Sequence, residues 1–396
     1  MNKLANPISN NLKPYPMEQL GDIKKKLLKN GVKVYDFGTG DPNIPLDAKI
    51  RDALIQAVPY VSHYPSVKGS DELTAAHEHY LKSRFDVDPG QFLILPSSGS
   101  KEAIFHVALS VVGRAGGRKR IIYPDPGYPV YHSSTVFAGG LPCPVVLNEQ
   151  NNFLLEPWTL PLEWQKDAAA IWINYPHNPS GVIATPDYFR AIVEWSKKFD
   201  VLILADDCYV DIYDTKIDQQ LEQGKDLRPQ TLLAYTNERI VAFHTLSKRS
   251  GMTGIRCGFI AGDRNFMQAH LQARANFGVA PASYVQKAGA VAWLDDEHVR
   301  ARREIFSQRM EYASNELLTL GLIKSKPLAA FYFWAKIPPR FGSDDVRFCL
   351  ELAEKGVITS PSSWVSESVQ GYFRLAMVPE MQEMKLGFEL IKEIAR

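Results

Sequence analysis

The segment TLSKRSGMTGIR, residues 245–256, is the most informative stretch of this 396-residue chain. It follows an apolar run that predicts a buried strand, and it places Lys248 just beyond that strand. Two hydroxyl residues, Thr245 and Ser247, precede the lysine, and Arg256 follows it. A single lysine is usually a solvated surface charge. In this setting its amine can instead form an imine with a carbonyl group, while the hydroxyls and the guanidinium bind a phosphate.

The composition indicates a globular protein with one large domain and a smaller one. Apolar residues make up 45% of the chain and charged residues 22%, which is sufficient to bury a core. The 45 basic and 44 acidic residues leave a net charge of +1, which favours neither a nucleic-acid-binding nor a membrane-binding surface. No stretch approaches the roughly 20 apolar residues that a membrane span requires.

The four cysteines are scattered, without the spacing of a disulfide framework or of a metal site: Cys143, Cys208, Cys257 and Cys349. This use of cysteine is typical of a reducing compartment. Residues 1–20 are polar and contain prolines, and they lack the apolar core of a signal peptide. We therefore expect a cytoplasmic protein with no metal centre.

Short apolar runs alternate with helical patterns from residue 46 to residue 292, which predicts a large α/β domain. Its sheet is expected to be mostly parallel, with helices on both faces. In one helical segment, Ile104, Val107 and Val111 recur at helical spacing. The apolar runs are residues 92–95, 120–123, 169–174, 201–205, 240–243 and 259–261.

The pattern changes beyond residue 292. A long helix is predicted, with Val299, Phe306 and Leu317 on one face, and further strand-like and helical segments follow it. This order predicts a smaller α+β domain formed by residues 293–396. The later segments are strand-like at 329–335 and 372–378, and helical at 346–355 and 380–394.

A pair of acidic residues ends another predicted strand. In VLILADDCY, Asp206 lies at the carboxyl end of the strand, where open α/β sheets bind ligands, and Tyr209 follows three residues later. Asp206 and Asp207 are also compatible with simple capping of the next segment. The presence of Lys248 favours a ligand site over capping.

Three turns that follow predicted strands supply further candidates. The turn SSGSKEA opens a helix at Ser100, and free N–H groups at a helix N-terminus bind anions, although a serine cap by itself is common. The turn NYPHNPSG contains Asn178, and Asn-Pro is a frequent turn pair. The turn PDPGYPVY contains Tyr128 and Tyr131, and either ring can stack on a planar ligand.

Together these motifs resemble, along nearly the whole chain, those of fold-type I pyridoxal-phosphate enzymes, specifically the class I aminotransferases. The resemblance implies that Lys248 binds pyridoxal 5'-phosphate covalently, that Asp206 keeps the ring nitrogen protonated and that Tyr209 bonds the phenolic oxygen. These three are the implied catalytic residues. Tyr128 is implied to stack on the ring, with Asn178 beside Tyr209. The residues implied for the phosphate are Ser100, Lys101, Thr245, Ser247 and Arg256.

The resemblance also implies the substrate contacts and the assembly. Arg374, in the apolar strand GYFRL, matches the arginine that binds the substrate α-carboxylate, and a buried arginine is costly unless it meets an anion. The Gly40 backbone and the Asn178 side chain are implied to join it. Tyr64 matches a tyrosine that reaches the phosphate of the neighbouring subunit, which implies a homodimer with a composite active site. Residues 1–45 are expected to pack beside the small domain as an N-terminal arm.

The implied reaction transfers an amino group between an amino acid and a 2-oxo acid by a ping-pong mechanism. Residues 247–263 and 291–299 look most like the N-succinyl-diaminopimelate aminotransferases of lysine biosynthesis, which use glutamate and 2-oxoglutarate. Lys101 and Arg249 are the positional candidates for binding a distal anionic group. An aminotransferase for aspartate, aromatic amino acids or alanine is an alternative, as is a β-lyase or decarboxylase on the same fold. A non-enzymatic binding protein is a further alternative, which the length and charge do not favour.

Overall fold

The computed structural model describes residues 4, 6–12, 14–114 and 116–396. The chain begins with α1 (Pro7–Asn11), α2 (Pro16–Lys29), β1 (Tyr35–Asp36), α3 (Ala48–Gln56) and α4 (Asp71–Phe85). Ser70 caps α4, because its side chain accepts a hydrogen bond from the Leu73 N–H.

Strands and helices then alternate, which confirms the predicted α/β class. The elements are β2 (Leu93–Ser97), α5 (Ser100–Val111), β3 (Arg120–Asp125), α6 (Val130–Phe137), β4 (Leu141–Val146), α7 (Leu162–Asp167), β5 (Ala168–Ile173), α8 (Pro186–Phe199), β6 (Leu202–Asp206), α9 (Lys216–Glu222), β7 (Ile240–Thr245), α10 (Leu246–Arg249), β8 (Gly258–Gly262), α11 (Arg264–Phe277) and α12 (Ser283–Leu294). Short 3-10 turns lie at Pro89–Gln91, Pro157–Thr159, Leu232–Ala234 and Pro339–Phe341.

Within the described residues, these strands form a seven-stranded sheet in the order β2-β8-β7-β6-β5-β3-β4. The strands from β7 to β4 are parallel, whereas β8 is antiparallel to both of its neighbours. The predicted, mostly parallel sheet is therefore confirmed. Sequence reasoning missed β4, because Pro142 and Pro144 argue against a strand. The strand lies at the sheet edge, where a proline is tolerated.

Successive residues of the central strands pack into different cores. Ile171 of β5 belongs to the core on one face of the sheet, and Trp172 belongs to the core on the other face. Because side chains alternate in direction along a strand, both faces are covered and the strands are almost wholly apolar. This packing holds the carboxyl ends of β3, β5, β6 and β7 in place, and polar residues gather there.

The C-terminal part forms a second apolar core that includes Phe333, Phe373 and Phe388. Strand β9 pairs antiparallel with β12, which pairs antiparallel with β11. Among the helices of the described ranges, none is both long enough and apolar enough to cross a bilayer. The C-terminal elements are α13 (Glu297–Thr319), β9 (Tyr332–Lys336), α14 (Asp345–Glu354), β10 (Val357–Ile358), β11 (Ser360–Pro361), α15 (Ser362–Val365), β12 (Tyr372–Ala376) and α16 (Met381–Ala395).

The N-terminal strand β1 joins this second core. Tyr35 lies opposite Val357 in the parallel β1–β10 pair, and the Phe37 ring packs edge-to-face on Phe388 at 5.7 Å. On this basis we propose the division expected from the sequence, with a large domain at 46–292 and a small domain at 1–45 and 293–396. Residues 1–3, 5 and 13 of the arm lie outside the described residues.

Candidate active site

A cavity of about 400 Å³ opens at the carboxyl ends of the central parallel strands, between the two sheets. Its volume lies within the range of roughly 300–1,000 Å³ that is usual for small-molecule sites. The site residues predicted from the sequence line it, except Tyr64 and Arg249, the second positional candidate for a distal anion. These residues are Gly40, Ser100, Lys101, Tyr128, Asn178, Asp206, Tyr209, Thr245, Ser247, Lys248, Arg256 and Arg374.

Lys248 lies in the short helix α10, immediately after β7, and not in the strand itself. Thr245 caps α10, since its side chain accepts a hydrogen bond from the Ser247 N–H. The Lys248 Nζ donates to the carbonyl oxygen of Gly40 and lies 5.7 Å from the centre of the Phe331 ring. The amine therefore faces the cavity between polar backbone and an aromatic wall.

A cluster of donors at the N-terminus of α5 forms an anion site. Gly99 precedes the helix with φ of +73°, and a Cβ at this residue would lie 2.4 Å from Arg256 Nη2. Arg256 Nη1 also donates to Ser247 Oγ at 3.3 Å. Ser247 Oγ in turn accepts from Thr245 Oγ1 at 3.0 Å, and Ser100 begins the helix. Helix N–H groups, hydroxyls and a guanidinium thus converge, which is suitable for a phosphate.

Asp206 lies at the end of β6 and is buried. Its Oδ2 accepts a hydrogen bond from the Tyr131 hydroxyl at 2.6 Å, whereas its Oδ1 has no hydrogen-bond donor in the described part of the chain. Burial raises the pKa of the Asp206 carboxyl, while Cys208, Tyr131 and the charge of Lys248 act in the opposite direction. A cation at Oδ1 would favour the ionised form further.

The two tyrosines of the PDPGYPVY turn have different environments. Tyr128 lines the cavity, and burial raises the pKa of its hydroxyl above the ordinary value. Tyr131 is fully buried behind Asp206 and stacks on Trp172 with ring centroids 4.6 Å apart. Only Tyr128 is therefore available to stack on a ligand, and Tyr131 acts through the aspartate.

Arg374, on β12 of the three-stranded sheet, and Asn178, which follows β5 of the seven-stranded sheet, meet across the cavity. Arg374 Nη2 donates to the Gly38 carbonyl oxygen at 3.0 Å, and its Nη1 donates to Asn178 Oδ1 at 3.3 Å. The Nε of Arg374 is buried and has no acceptor among the described residues. The Asn178 N–H is held by the side chain of Asn174 at 2.9 Å. The guanidinium is thus oriented by backbone and amide oxygens, without a carboxylate partner in the described ranges.

Two exposed residues that line the cavity, and that we take to mark its mouth, carry opposite charges: Lys101 and Asp41. The Lys101 ammonium lies 4.2 Å from the centre of the Tyr15 ring. Arg249, the other cation considered for a distal anion, is buried elsewhere. Its Nε meets Asp211 at 3.1 Å and its Nη2 meets Asp296 at 2.6 Å. The suggestion that Arg249 binds substrate is therefore wrong, because its charge is already neutralised inside the fold.

Tyr64 lies outside the cavity and is fully exposed. It belongs to the segment between α3 and α4, in which several other large apolar side chains are also exposed. They are Val58, Tyr60 and Val61, and Ile55 near the end of α3 is exposed as well. A contact between Tyr64 and a phosphate in a second subunit is compatible with this exposure.

Several residues of the cavity were not predicted from the sequence. Tyr15 and Met17 belong to the N-terminal arm, and no local pattern connects that arm to the sheet. Asn174 and Cys208 flank predicted residues at the ends of β5 and β6, so the position at a strand end was a usable signal. Tyr332, in the run FYFW, had the appearance of an ordinary core aromatic.

The sequence profile of the family "Aminotransferase class I and II" matches residues 31–388. The LL-diaminopimelate aminotransferase of Aquifex aeolicus (strain VF5) is 33% identical over 389 residues, covering 97% of each chain. The chain belongs to the class I and II aminotransferases. A second relative of this family, the LL-diaminopimelate aminotransferase 2 of Trichormus variabilis, is 32% identical and covers 92% of each chain.

Solved aminotransferase structures agree with this assignment. An aminotransferase from Neisseria meningitidis Z2491 is 27% identical, with a TM-score of 0.86, and covers 99% of this chain and 100% of that one. A single mutant of the Thermus thermophilus aspartate aminotransferase shares the fold, with a TM-score of 0.87 at 19% identity over 98% of this chain and 99% of that one.

Class I and II aminotransferases depend on pyridoxal 5'-phosphate, and the cavity fits this group on three observations. The buried Oδ1 of Asp206 lacks a donor among the described residues, as expected for an atom that meets a protonated ring nitrogen. The space at Gly99 is bounded by Arg256, as expected at a phosphate. The Lys248 amine reaches the same cavity. The chain is therefore a pyridoxal-phosphate-dependent aminotransferase.

Proposed function

We propose that the residues lining the cavity act in this reaction as the family resemblance implies. Lys248 is the covalent partner of the cofactor, Asp206 faces its ring nitrogen, and Arg256 binds its phosphate. When bound, pyridoxal phosphate supplies an electron sink for the bond broken at the substrate α-carbon. The remaining assignments are Ser100, Thr245, Ser247 and the backbone N–H of Lys101 at the phosphate, Tyr128 on the ring, and Asn178 and Tyr209 at the phenolic oxygen.

Lys248 moves the proton in this scheme. Once the substrate amine has displaced it, its Nζ takes the α-proton and returns it one step later, which is general acid–base catalysis. The Gly40 carbonyl and the Phe331 ring confine the amine on the cavity side of α10. Arg374 binds the substrate α-carboxylate, and its contacts with Gly38 and Asn178 hold the guanidinium ready.

We further propose that the amino donor is a diaminopimelate, with glutamate and 2-oxoglutarate as the second pair. The observation that carries this proposal is the pair of opposite charges at the cavity mouth, Lys101 and Asp41. The far end of LL-diaminopimelate carries a carboxylate and an ammonium, and the two charges complement it. The names of the relatives support the same substrate class.

N-succinyl-LL-diaminopimelate is the second candidate, favoured by the sequence of residues 247–263 and 291–299. Succinylation replaces the distal ammonium with an amide and adds a carboxylate. Lys101 then keeps a partner, while Asp41 loses one and faces an added negative charge. The two substrates therefore differ most at Asp41.

A single-turnover assay tests the proposal. The holoenzyme is mixed with one amino acid and no acceptor, and the absorbance of the lysine-bound cofactor is followed. We expect rapid loss of this band with LL-diaminopimelate and slower loss with the succinylated compound, aspartate, phenylalanine or alanine. Faster loss with the succinylated compound would select the second candidate. Release of a 2-oxo acid together with ammonia, leaving no amino group on the cofactor to convert added 2-oxoglutarate into glutamate, would indicate a lyase.

Asp41→Asn and Lys101→Gln locate the distal group in the same assay. Asp41→Asn should slow the reaction with LL-diaminopimelate more than with the succinylated compound, and Lys101→Gln should slow both. Since Lys101 also lies near the proposed phosphate site, cofactor saturation of each variant is measured first. Equal effects of Asp41→Asn on both substrates would contradict the assigned distal contact.

We also propose that the active enzyme is a homodimer in which Tyr64 of one subunit completes the site of the other. The exposed apolar side chains around Tyr64 support this assembly, because a large exposed apolar patch marks a contact surface. Light scattering after size-exclusion chromatography measures the mass directly. A stable, active monomer would contradict the proposal.

A further inference from the structure

Tyr332 contacts two proposed site residues at once. It is the first residue of β9, lines the cavity and has 2% of its surface exposed. Its hydroxyl oxygen lies 3.0 Å from the Tyr209 hydroxyl oxygen. The face of its ring lies 4.9 Å from the guanidinium carbon of Arg374. One side chain therefore connects the group proposed for the cofactor oxygen with the group proposed for the substrate carboxylate.

Each of the two hydroxyls carries one hydrogen, and the hydrogen bond between them uses only one of the two. Either oxygen can be the donor, and among the described residues neither hydroxyl has another hydrogen-bond partner. If Tyr209 donated, the Tyr332 hydrogen would be left beside the Gly40 loop, where no acceptor among the described residues meets it. If Tyr332 donates, its hydrogen is satisfied and the Tyr209 hydrogen points towards a ligand in the cavity.

We propose that Tyr332 is a positioning residue whose O–H donates to the Tyr209 oxygen and whose ring supports the Arg374 guanidinium. The inference rests on the proposed function, because the roles of Tyr209 and Arg374 come from there. A donor on the Tyr209 oxygen polarises its O–H and strengthens the bond to the next acceptor. The negative face of the Tyr332 ring attracts the guanidinium without neutralising it, which leaves the charge for a carboxylate.

The packing around Gly40 agrees with this role. A Cβ at Gly40 would lie 2.1 Å from the Tyr332 hydroxyl, so the loop that carries Gly40 passes directly against this oxygen. The carbonyl of the same Gly40 accepts the hydrogen bond from Lys248. Tyr332 therefore also limits the position of the loop against which the lysine rests.

Tyr332→Phe removes the hydroxyl and keeps the ring. We expect the pKa obtained from a pH titration of the holoenzyme absorbance to rise by about half a unit. A less polarised Tyr209 hydroxyl donates a weaker hydrogen bond to the phenolic oxygen of the cofactor and therefore stabilises its anionic form less. The KM for the amino acid should change less than about twofold, since the ring still supports Arg374. Tyr332→Leu, which removes the ring as well, should raise this KM about tenfold.

The double variant Tyr209→Phe/Tyr332→Phe distinguishes positioning from general destabilisation. If Tyr332 acts through Tyr209, adding Tyr332→Phe to Tyr209→Phe should leave the absorbance pKa where the single Tyr209 variant has it. Tyr372→Phe is the matched control, because Tyr372 lies on the neighbouring strand β12 and stacks on Trp334 outside the cavity. It should titrate as the wild-type enzyme does.

The outcomes separate the two proposals. A pKa shift in Tyr209→Phe but none in Tyr332→Phe would overturn the inference about Tyr332 alone. No shift in Tyr209→Phe would overturn the assigned role of Tyr209, and the inference with it. Additive shifts in the double variant would show that Tyr332 acts independently of Tyr209, which also contradicts the inference.

Discussion

The Tyr131 hydroxyl and the Asp206 carboxylate meet at 2.6 Å in the interior of the large sheet. The remaining carboxylate oxygen, Oδ1, has no donor in the described ranges, and Asn174 fixes the backbone by donating to the Asp206 carbonyl at 2.8 Å. Burial alone would favour the protonated acid. Tyr131 therefore helps to keep a charge on the carboxylate that we propose faces the ring nitrogen.

Tyr131→Phe should weaken the binding of pyridoxal phosphate about tenfold or more, because hydrogen bonds to charged groups contribute about 1.5–3 kcal/mol. Losing the donor raises the pKa of Asp206 further, so the affinity should fall more steeply as the pH is lowered. Titration of the apoenzyme with pyridoxal phosphate at several pH values measures both effects. Tyr123→Phe, which removes a hydroxyl bonded to His132 at 2.9 Å, is the control. Equal affinities for the two variants would remove Tyr131 from this role.

At the scale of secondary-structure elements, the start of α5 and the turn after α10 form one anion site. Gly99 adopts a positive φ that places the first N–H groups of α5 towards the cavity, and Arg256, itself at φ of +64°, fills the space beside it. Neither element forms the site alone, because the helix supplies N–H groups and the turn supplies the guanidinium.

Gly99→Ala should weaken cofactor binding about tenfold or more, since a Cβ 2.4 Å from Arg256 Nη2 must displace the guanidinium and its charged hydrogen bonds. Gly113→Ala is a matched control, because Gly113 has φ of +81° but no atom within 4 Å of an added Cβ. Both glycines have a positive φ, so the control reports the cost of a side chain at positive φ without the contact to Arg256. Dissociation constants for pyridoxal phosphate and for inorganic phosphate are the measurements. A similar loss in both variants would assign the effect to strain.

A buried ion cluster connects α4, α10 and the segment after β6. Asp211 Oδ1 meets Arg84 at 2.9 Å, its Oδ2 meets Arg249 at 3.1 Å, and the Tyr80 hydroxyl donates to Oδ2 at 2.7 Å. Although burial raises the pKa of Asp211, the two guanidinium groups outweigh it and lower the pKa to about 2. The cluster anchors Arg249, the residue that follows Lys248, and thereby limits the direction of the Lys248 side chain.

Asp211→Asn should destabilise the fold by about 3 kcal/mol or more at neutral pH, as expected when one partner of a buried ion pair is removed. Since the folded pKa is depressed, the stabilisation is fully present above the unfolded value of about 4 and is lost as the pH falls through about 2. The difference between wild type and variant should therefore shrink below pH about 4. Urea unfolding midpoints measure it. Asp187→Asn, which removes an exposed pair with Arg190, should cost less than about 1 kcal/mol.

At the scale of the whole molecule, the cavity lies between the seven-stranded and three-stranded sheets and receives residues from both. Asn178 belongs to the first half and Arg374 to the second, and the hydrogen bond between them spans the junction. The N-terminal arm adds Tyr15 at the mouth. The proposed homodimer would add Tyr64 from the other subunit.

Mixed dimers test the composite site. Lys248→Ala and Tyr64→Ala should each be nearly inactive as homodimers, because the first lacks the proposed covalent partner and the second lacks a proposed phosphate contact. After the two chains are unfolded and refolded together, half of the dimers are mixed and carry one intact site. Activity should then return to about one quarter of the wild-type value. No recovery, with mixed dimers demonstrated by two affinity tags, would place Tyr64 outside the neighbouring site.

Local sequence determined the α/β fold class, the central strands and the identity of half of the residues that line the cavity. A parallel sheet buried on both faces requires uninterrupted apolar runs, and its ligand groups must follow those runs, so both features appear as local patterns. Lys248 and Asp206 could be recognised for this reason, and Arg374 because a buried arginine in an apolar strand is costly unless it meets an anion. Strand β4 could not, because its prolines conceal an edge strand.

Only the tertiary structure decided how similar residues divide their functions. Tyr128 and Tyr131 are equivalent in sequence, and whether each faces the cavity or Asp206 depends on the packing of α6 against the sheet. Arg249 and Lys101 are both cations near the site, yet Arg249 is neutralised by carboxylates that lie far away in sequence. Tyr332 meets Tyr209 only because two sheets come together. Contacts between distant segments depend on the packing of the whole chain, which no local pattern records.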